Sequence, residues 1–218
     1  MEGTRMVTFR DFQDRHAGET VWVLGSGKTA EFVNRTFFDG KTVVAANHAW
    51  KGKAEHAYVC SNHWGVDAPG WLVVPEVEPV PPQDAHRGDR PSGDRVLFVP
   101  TIEQRYADFQ PERDWPSDGR FAVGPSSATL TMHWAAFLGA AHIVLVGFDC
   151  GAIDGAERSD GYYPPANADA VAAHSHHRLW GEQMEATARL FRSHGVSVHS
   201  LNPWATLGLE GHRWEQRR

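Results

Sequence analysis

Apolar residues in this chain gather in short continuous runs, and most runs end on glycine, asparagine or another small polar residue. Thr20 to Leu24, Thr42 to Ala46, Ala57 to Cys60 and His142 to Val146 are such runs, and Val196 to Leu201 is the last of them. Continuous β-branched character over so few residues predicts strands buried on both faces, as in a parallel sheet. Trp71 to Pro75 and Arg95 to Val99 predict further short strands. A short helix over Lys28 to Asn34 and a turn at Asp39-Gly40 join the first two runs into an opening β-α-β unit. Ala128 to Leu138 is apolar on nearly every face, which predicts a buried helix stopped by Gly139. From about Arg178 to Ser193 a second helix turns Leu179, Met184, Leu190 and Phe191 inward, and Gly195 stops it. The expected fold class is α/β: one domain over 1-218, a mostly parallel sheet with helices on both faces.

Four stretches break the pattern. Thr4 to His16 reads as an amphipathic lead-in anchored by Phe9 and Phe12 and packed beside the first strand. Residues 75-94 are rich in Pro, Asp, Arg and Gly and predict an exposed loop, because proline cannot donate to a ladder and charge prefers water. Thr101 to Arg120 holds Tyr106, Phe109 and Trp115 without a clear period. Cys150 to His177 is poor in large apolar residues, and a segment of that length in one domain is expected to be a lid near 150-177.

Composition narrows the class. The chain has 218 residues, 41% hydrophobic and 22% charged, which is globular. No apolar run approaches the length of a membrane span, and MEGTRMVTFRDF lacks the apolar core of a signal peptide, so a cytoplasmic location is expected. The formal net charge of −6 gives no general affinity for polyanions. The two cysteines, Cys60 and Cys150, form no metal or redox pattern and are expected to be core or near-core thiols.

The strand-to-turn stretch VWVLGSGKTAEFV carries the first candidate chemistry. A glycine turn opening a helix lets the backbone approach an anion and points N–H groups at it, so Gly25, Ser26, Gly27, Lys28 and Thr29 are expected to contact a ligand phosphate. Gly27-Lys28-Thr29 ends a P-loop, but Trp22 stands where its first glycine belongs. Gly25, Gly27 and Ala30 meet the dinucleotide fingerprint, yet the second strand ends in Asn47 rather than an acid, which disfavours a nicotinamide cofactor. Asn47-His48 and Ser61-Asn62-His63-Trp64 follow strands where ligands bind in such sheets. Ser126 and Ser127 open the buried helix, where they serve either as caps or as ligand contacts. Asp149 closes the His142 to Val146 strand. Among thirteen histidines, only His174, His176 and His177 cluster.

Taken in order, Gly25-Ser26-Gly27, Asn47, Asn62, Ser126-Ser127, Leu138-Gly139, Ile143 to Asp149, His174-Ser175 and Leu201-Asn202-Pro203 resemble the bacterial lipooligosaccharide sialyltransferases and related phage and prophage proteins. The resemblance spans Val21 to Asn62 and Phe121 to Leu209. It implies a Rossmann-like domain with a lid that binds a CMP-linked sugar without a metal. Asn47 and Asn62 match asparagines that hold the nucleotide; Ser126 and Ser127 match a Thr-Ser pair beside the donor. Ser26 stands where the family has asparagine, Lys28 where it has proline, and Gly151 where it has a leaving-group tyrosine, so Tyr162 or Tyr163 would supply the second such tyrosine.

The implied reaction is sugar transfer from a nucleotide-sugar co-substrate to an acceptor hydroxyl, with no resident cofactor. A base must take the acceptor's proton and donors must stabilise the departing phosphate. An imidazole suits the role of base. The His-Ser dipeptide favours His174, and distance to the last strand favours His177. Tyr162 or Tyr163, with the turn amides, suits the stabilisation of phosphate. The acceptor is left open among glycan, small molecule and modified nucleobase, as is a homo-oligomeric state. The alternatives are a P-loop-like kinase or nucleotide phosphohydrolase, with Asp149 as its second metal-binding motif, and a non-catalytic nucleotide-binding phage protein.

Overall fold

The structure is a computed structural model that describes residues 7–62, 64–76, 89–103, 115–116, 119–123, 126–149 and 177–201, with only the backbone at 35, 102–103, 123 and 177–180. Its centre is a seven-stranded sheet built from β1 (Thr20–Leu24), β2 (Thr42–Ala46), β3 (Ala57–Cys60), β4 (Trp71–Pro75), β5 (Val96–Val99), β8 (His142–Val146) and β9 (Ser197–Ser200). The strand order is β5-β4-β3-β2-β1-β8-β9, and every pairing is parallel. A separate parallel pair joins β6 (Thr101–Glu103) to β7 (Phe121–Val123). This is the expected α/β, Rossmann-like arrangement. The chain winds outward from β1 to β5, then returns to the other side of β1, so the order reverses between β1 and β8.

The continuous apolar runs follow from burial on both faces. Val21, Val23, Val44, Ile143 and Leu145 point into one core with the helices, while Leu24, Val43, Ala45, Val59 and Val146 point into the other. Helices α1 (Ser127–Phe137) and α2 (His177–Ser193) both pack on the first face. Among the described residues, the second face is covered by two 3₁₀ turns, Lys28–Phe32 and Arg35–Phe38, and by the loops carrying Ala49, Ala54 and Trp64. The expected helix over Lys28 to Asn34 is thus a 3₁₀ turn, too short to carry a useful macrodipole.

Every residue of α1 is buried, as its lack of a polar face requires. Ser126 caps it by accepting from the Ala128 N–H at 3.2 Å. Gly139 ends the helix at φ +87°, and a Cβ there would also lie 2.9 Å from the Ala17 Cα. The segment leading into β1 passes that close because Asp14 and His16 N–H donate to the carbonyls of Phe137 and Leu138. The lead-in therefore docks on α1 and on the β3–β4 side of the sheet, not beside β1: Phe12 stacks edge-on with Trp71 and Tyr58 and tilts against Trp134.

At the amino edge of the sheet, His16 Nδ1 lies 2.8 Å from Glu19 Oε2 and its Nε2 lies 3.1 Å from Tyr58 Oη, with Thr42 Oγ1 donating to Glu19. The cluster ties the segment before β1 to the starts of β2 and β3. Among the described residues no helix is long and apolar enough to cross a membrane. Cys60 is buried and its thiol is pushed well up by desolvation, so it packs rather than reacts. Cys150 lies outside the described residues.

Candidate functional site

In open parallel sheets, ligands bind beyond the carboxyl ends of the strands near the point where strand order reverses. Gly25 to Thr29 follow β1, Asn47 follows β2, Asn62 follows β3 and Asp149 follows β8, so all of these candidates stand at that edge. Ser127, at the start of α1, joins them there through hydrogen bonds to two strand ends, with Ser126 beside it.

The candidates fall into two groups. In the first, the turn after β1 is laced to the turn after β8. Gly25 N–H donates to the Val146 carbonyl and Gly27 N–H to the Gly147 carbonyl, each at 2.8 Å. Thr29 N–H donates to Asp149 Oδ2 at 2.9 Å, the Thr29 hydroxyl bonds Asp149 Oδ1, and Lys28 N–H also reaches this carboxylate. Of the amides expected to face a phosphate, those of Gly25 and Gly27 thus face backbone carbonyls and those of Lys28 and Thr29 the protein's own carboxylate. The glycines have a reason that needs no ligand: an added Cβ would lie 2.5 Å from the Gly147 oxygen at Gly25 and 2.6 Å from the Asp149 Cγ at Gly27. Burial raises the Asp149 pKa, and its bonds to Thr29 and Lys28 pull the other way. Ser26 and Lys28 are the half-buried members of this turn, and Lys28 pairs with Glu31 one turn on.

The second group is neutral. Asn47 sits at φ +50°, a left-handed conformation that asparagine tolerates better than other residues with a Cβ. Its Oδ1 lies 3.1 Å from the Ser127 Oγ, which also bonds Asn62 Oδ1, and the Asn62 N–H reaches the same hydroxyl at 3.5 Å. A hydroxyl has one proton, so Ser127 gives it to one of these carboxamide oxygens or shares it between them. Both carboxamide oxygens thereby converge on a single hydroxyl. Asn62 and Ser127 are buried, whereas Asn47 is the partly exposed member at the edge.

His48, which the sequence marks only as a polar residue at a strand end, acquires a partner in the fold. Its Nδ1 lies 3.4 Å from Asp67 Oδ1, and Lys51 Nζ lies 3.3 Å from the same oxygen. Burial first, and then Lys51, lower the His48 pKa against the opposing pull of Asp67, so the ring is neutral near pH 7. No sequence signal marks this pair, because Asp67 comes from the loop after β3. His177 is the first residue of α2, which runs back along the strand it precedes and so begins toward the carboxyl edge. Its side chain, together with His174, His176, Tyr162, Tyr163 and the expected lid, lies outside the described residues. Among the described residues, no group of three or more His, Cys, Asp or Glu is placed to hold a metal ion.

No protein-family model, curated protein or solved structure matches this chain.

Proposed function

We propose that the carboxyl edge binds a nucleotide-sugar, CMP-linked as the sequence resemblance implies, and that the protein transfers its sugar to an acceptor hydroxyl. The observation that carries the reading is the Asn47–Ser127–Asn62 group. Three elements commit three neutral hydrogen-bonding side chains to one point of the edge where such sheets take ligands. Carboxamides and a hydroxyl suit a base or ribose, which offers both donors and acceptors and no charge. In this reading Ser26 and Lys28 meet the donor's phosphate from the rim, Ser126 stands beside them, and Gly25, Gly27, Thr29 and Asp149 form the brace behind. His174 or His177 takes the acceptor proton as the sugar–phosphate bond breaks, while Tyr162 or Tyr163 donates to the leaving phosphate.

Thr29 and Asp149 side by side favour a second reading, since a hydroxyl and a carboxylate so placed could share Mg²⁺ in a nucleotide phosphohydrolase. Against it, Gly27 and Thr29 N–H, which a P-loop turns toward phosphate, are already bonded within the protein. Thermal shift with CMP, UDP, GDP and ATP, each with and without Mg²⁺, separates the two. A ligand at 100 times its Kd adds about 2.7 kcal/mol to native stability. A rise in Tm with CMP independent of Mg²⁺ is expected; a rise only with ATP and Mg²⁺ would transfer the proposal to the phosphohydrolase. CMP binding without turnover of any CMP-sugar would leave a binding protein.

A further inference from the structure

We propose that the amino edge of the sheet carries a reactive site of its own, where the Tyr58 hydroxyl takes an acyl or sulfonyl group with His16 as base and Glu19 as the group that orients the ring. His16 Nε2 lies 3.1 Å from Tyr58 Oη, and His16 Nδ1 lies 2.8 Å from Glu19 Oε2. A hydroxyl, an imidazole and a carboxylate thus form one chain of hydrogen bonds, in the order of a nucleophile, its base and the orienter of that base. The parts are held from several sides. His16 N–H donates to the Leu138 carbonyl at 2.7 Å, the Tyr58 ring stands edge-on to Phe12, and Thr42 Oγ1 donates to Glu19 Oε2 at 3.2 Å.

The chain of groups has a direction. An ionised carboxylate only accepts, and the bond with His16 holds the Glu19 pKa below its usual value. The neutral ring therefore carries its proton on Nδ1 and leaves Nε2 to accept from the Tyr58 O–H. Burial first, and Glu19 with it, raise the Tyr58 pKa against the pull of Arg15, so the phenol is neutral near pH 7 and needs a base to react. As Oη bonds to the electrophilic carbon or sulfur, its proton passes to His16 Nε2 and the leaving group departs with the bonding pair. Glu19 then stabilises the imidazolium. Solvent reaches the chain of groups, for the side chains of Glu19 and His16 are 53% and 19% exposed and Tyr58 is only partly buried. The same edge supplies a contrast. His142 Nδ1 lies 2.6 Å from Ser197 Oγ, but among the described residues no carboxylate pairs with that ring.

The test is reaction of the full chain with benzenesulfonyl fluoride near pH 7, followed by peptide mass spectrometry. Fluoride leaves, and a sulfonate ester at Tyr58 is expected to form faster than any adduct on Ser197. His16→Gln should slow it about 100-fold, the lower end of what a placed base contributes. Glu19→Gln should slow it by about tenfold or more, whereas Glu19→Asp, which keeps the carboxylate, should retain most of the rate. Circular dichroism checks that His16→Gln folds, and the half-exposed position of Glu19 keeps the test in force if it does not. No adduct at Tyr58, a faster adduct on Ser197, or a Tyr58 rate unchanged in Glu19→Gln would each overturn the proposal. No nucleotide enters the experiment, so its outcome is independent of the function proposed above.

Discussion

The turn after β1 and the Asn47–Asn62–Ser127 group stand on the same sheet edge and are built in opposite ways. The turn has the residues of an anion site, yet its amides are consumed by the neighbouring turn and by Asp149. The asparagine group matches no phosphate motif, yet it gathers neutral side chains from the ends of β2 and β3 and from α1 around a single hydroxyl. A glycine pattern reports that the backbone must pass something closely; whether that neighbour is a ligand or another strand's turn depends on what the fold sets beside it. Here it is the turn after β8, and the point where strand order reverses is braced rather than open.

Five substitutions probe this contrast, and the brace should respond most strongly. Gly25→Ala would force a Cβ against the Gly147 carbonyl, which is backbone and cannot swing aside. A loss toward the upper end of about 1–3 kcal/mol is expected in urea unfolding. A loss under about 0.5 kcal/mol would mean that the two turns are not laced together.

Thr29→Val removes the hydroxyl from the Asp149 carboxylate while keeping shape, and should cost about 1.5 kcal/mol or more, as for a bond to a charged group. The companion pH series has a definite sign. Because the folded pKa of Asp149 lies above its ordinary 3.8, the folded state binds the extra proton. Asp149 therefore contributes a fall in stability as pH rises from about 3.8 through the folded pKa, and a plateau beyond it. Stability measured against pH should lose that falling component in Asp149→Asn. If wild type and variant run parallel, the carboxyl is not held as described.

Asn47→Gly deletes the carboxamide but keeps the left-handed backbone that φ +50° demands. If the neutral group grips the nucleotide, CMP affinity should fall about tenfold, near 1.4 kcal/mol, with stability changed by about 1 kcal/mol or less. Isothermal titration reads the first and urea unfolding the second. Unchanged affinity would remove the group from the site.

Lys28→Ala should perturb stability least, by below about 1 kcal/mol, because it removes a partly exposed pair with Glu31. Its value is in the ligand measurement. Weaker CMP binding would keep the lysine at the rim as a phosphate contact, whereas CMP and cytidine losing affinity equally would show that it meets no phosphate.

The sheet was legible in the chain before any folding was considered. Strands buried on both faces must be continuously apolar, so their positions and parallel pairing were written in short Val-, Ile- and Ala-rich runs, and Ser126 and Gly139 marked the ends of a helix too apolar to lie anywhere but inside. Which strand ends carry polar residues was equally legible, because asparagine, serine and glycine interrupt the apolar runs abruptly. What those residues face emerged only on folding. That Asp149 fills the turn, that one serine joins two asparagines, that His48 meets Asp67 and that His133 faces α2 all depend on contacts between segments distant in the chain. Periodicity constrains which face a residue occupies, but the partner on that face is fixed only when β8 enters beside β1 and α1 closes over the strands.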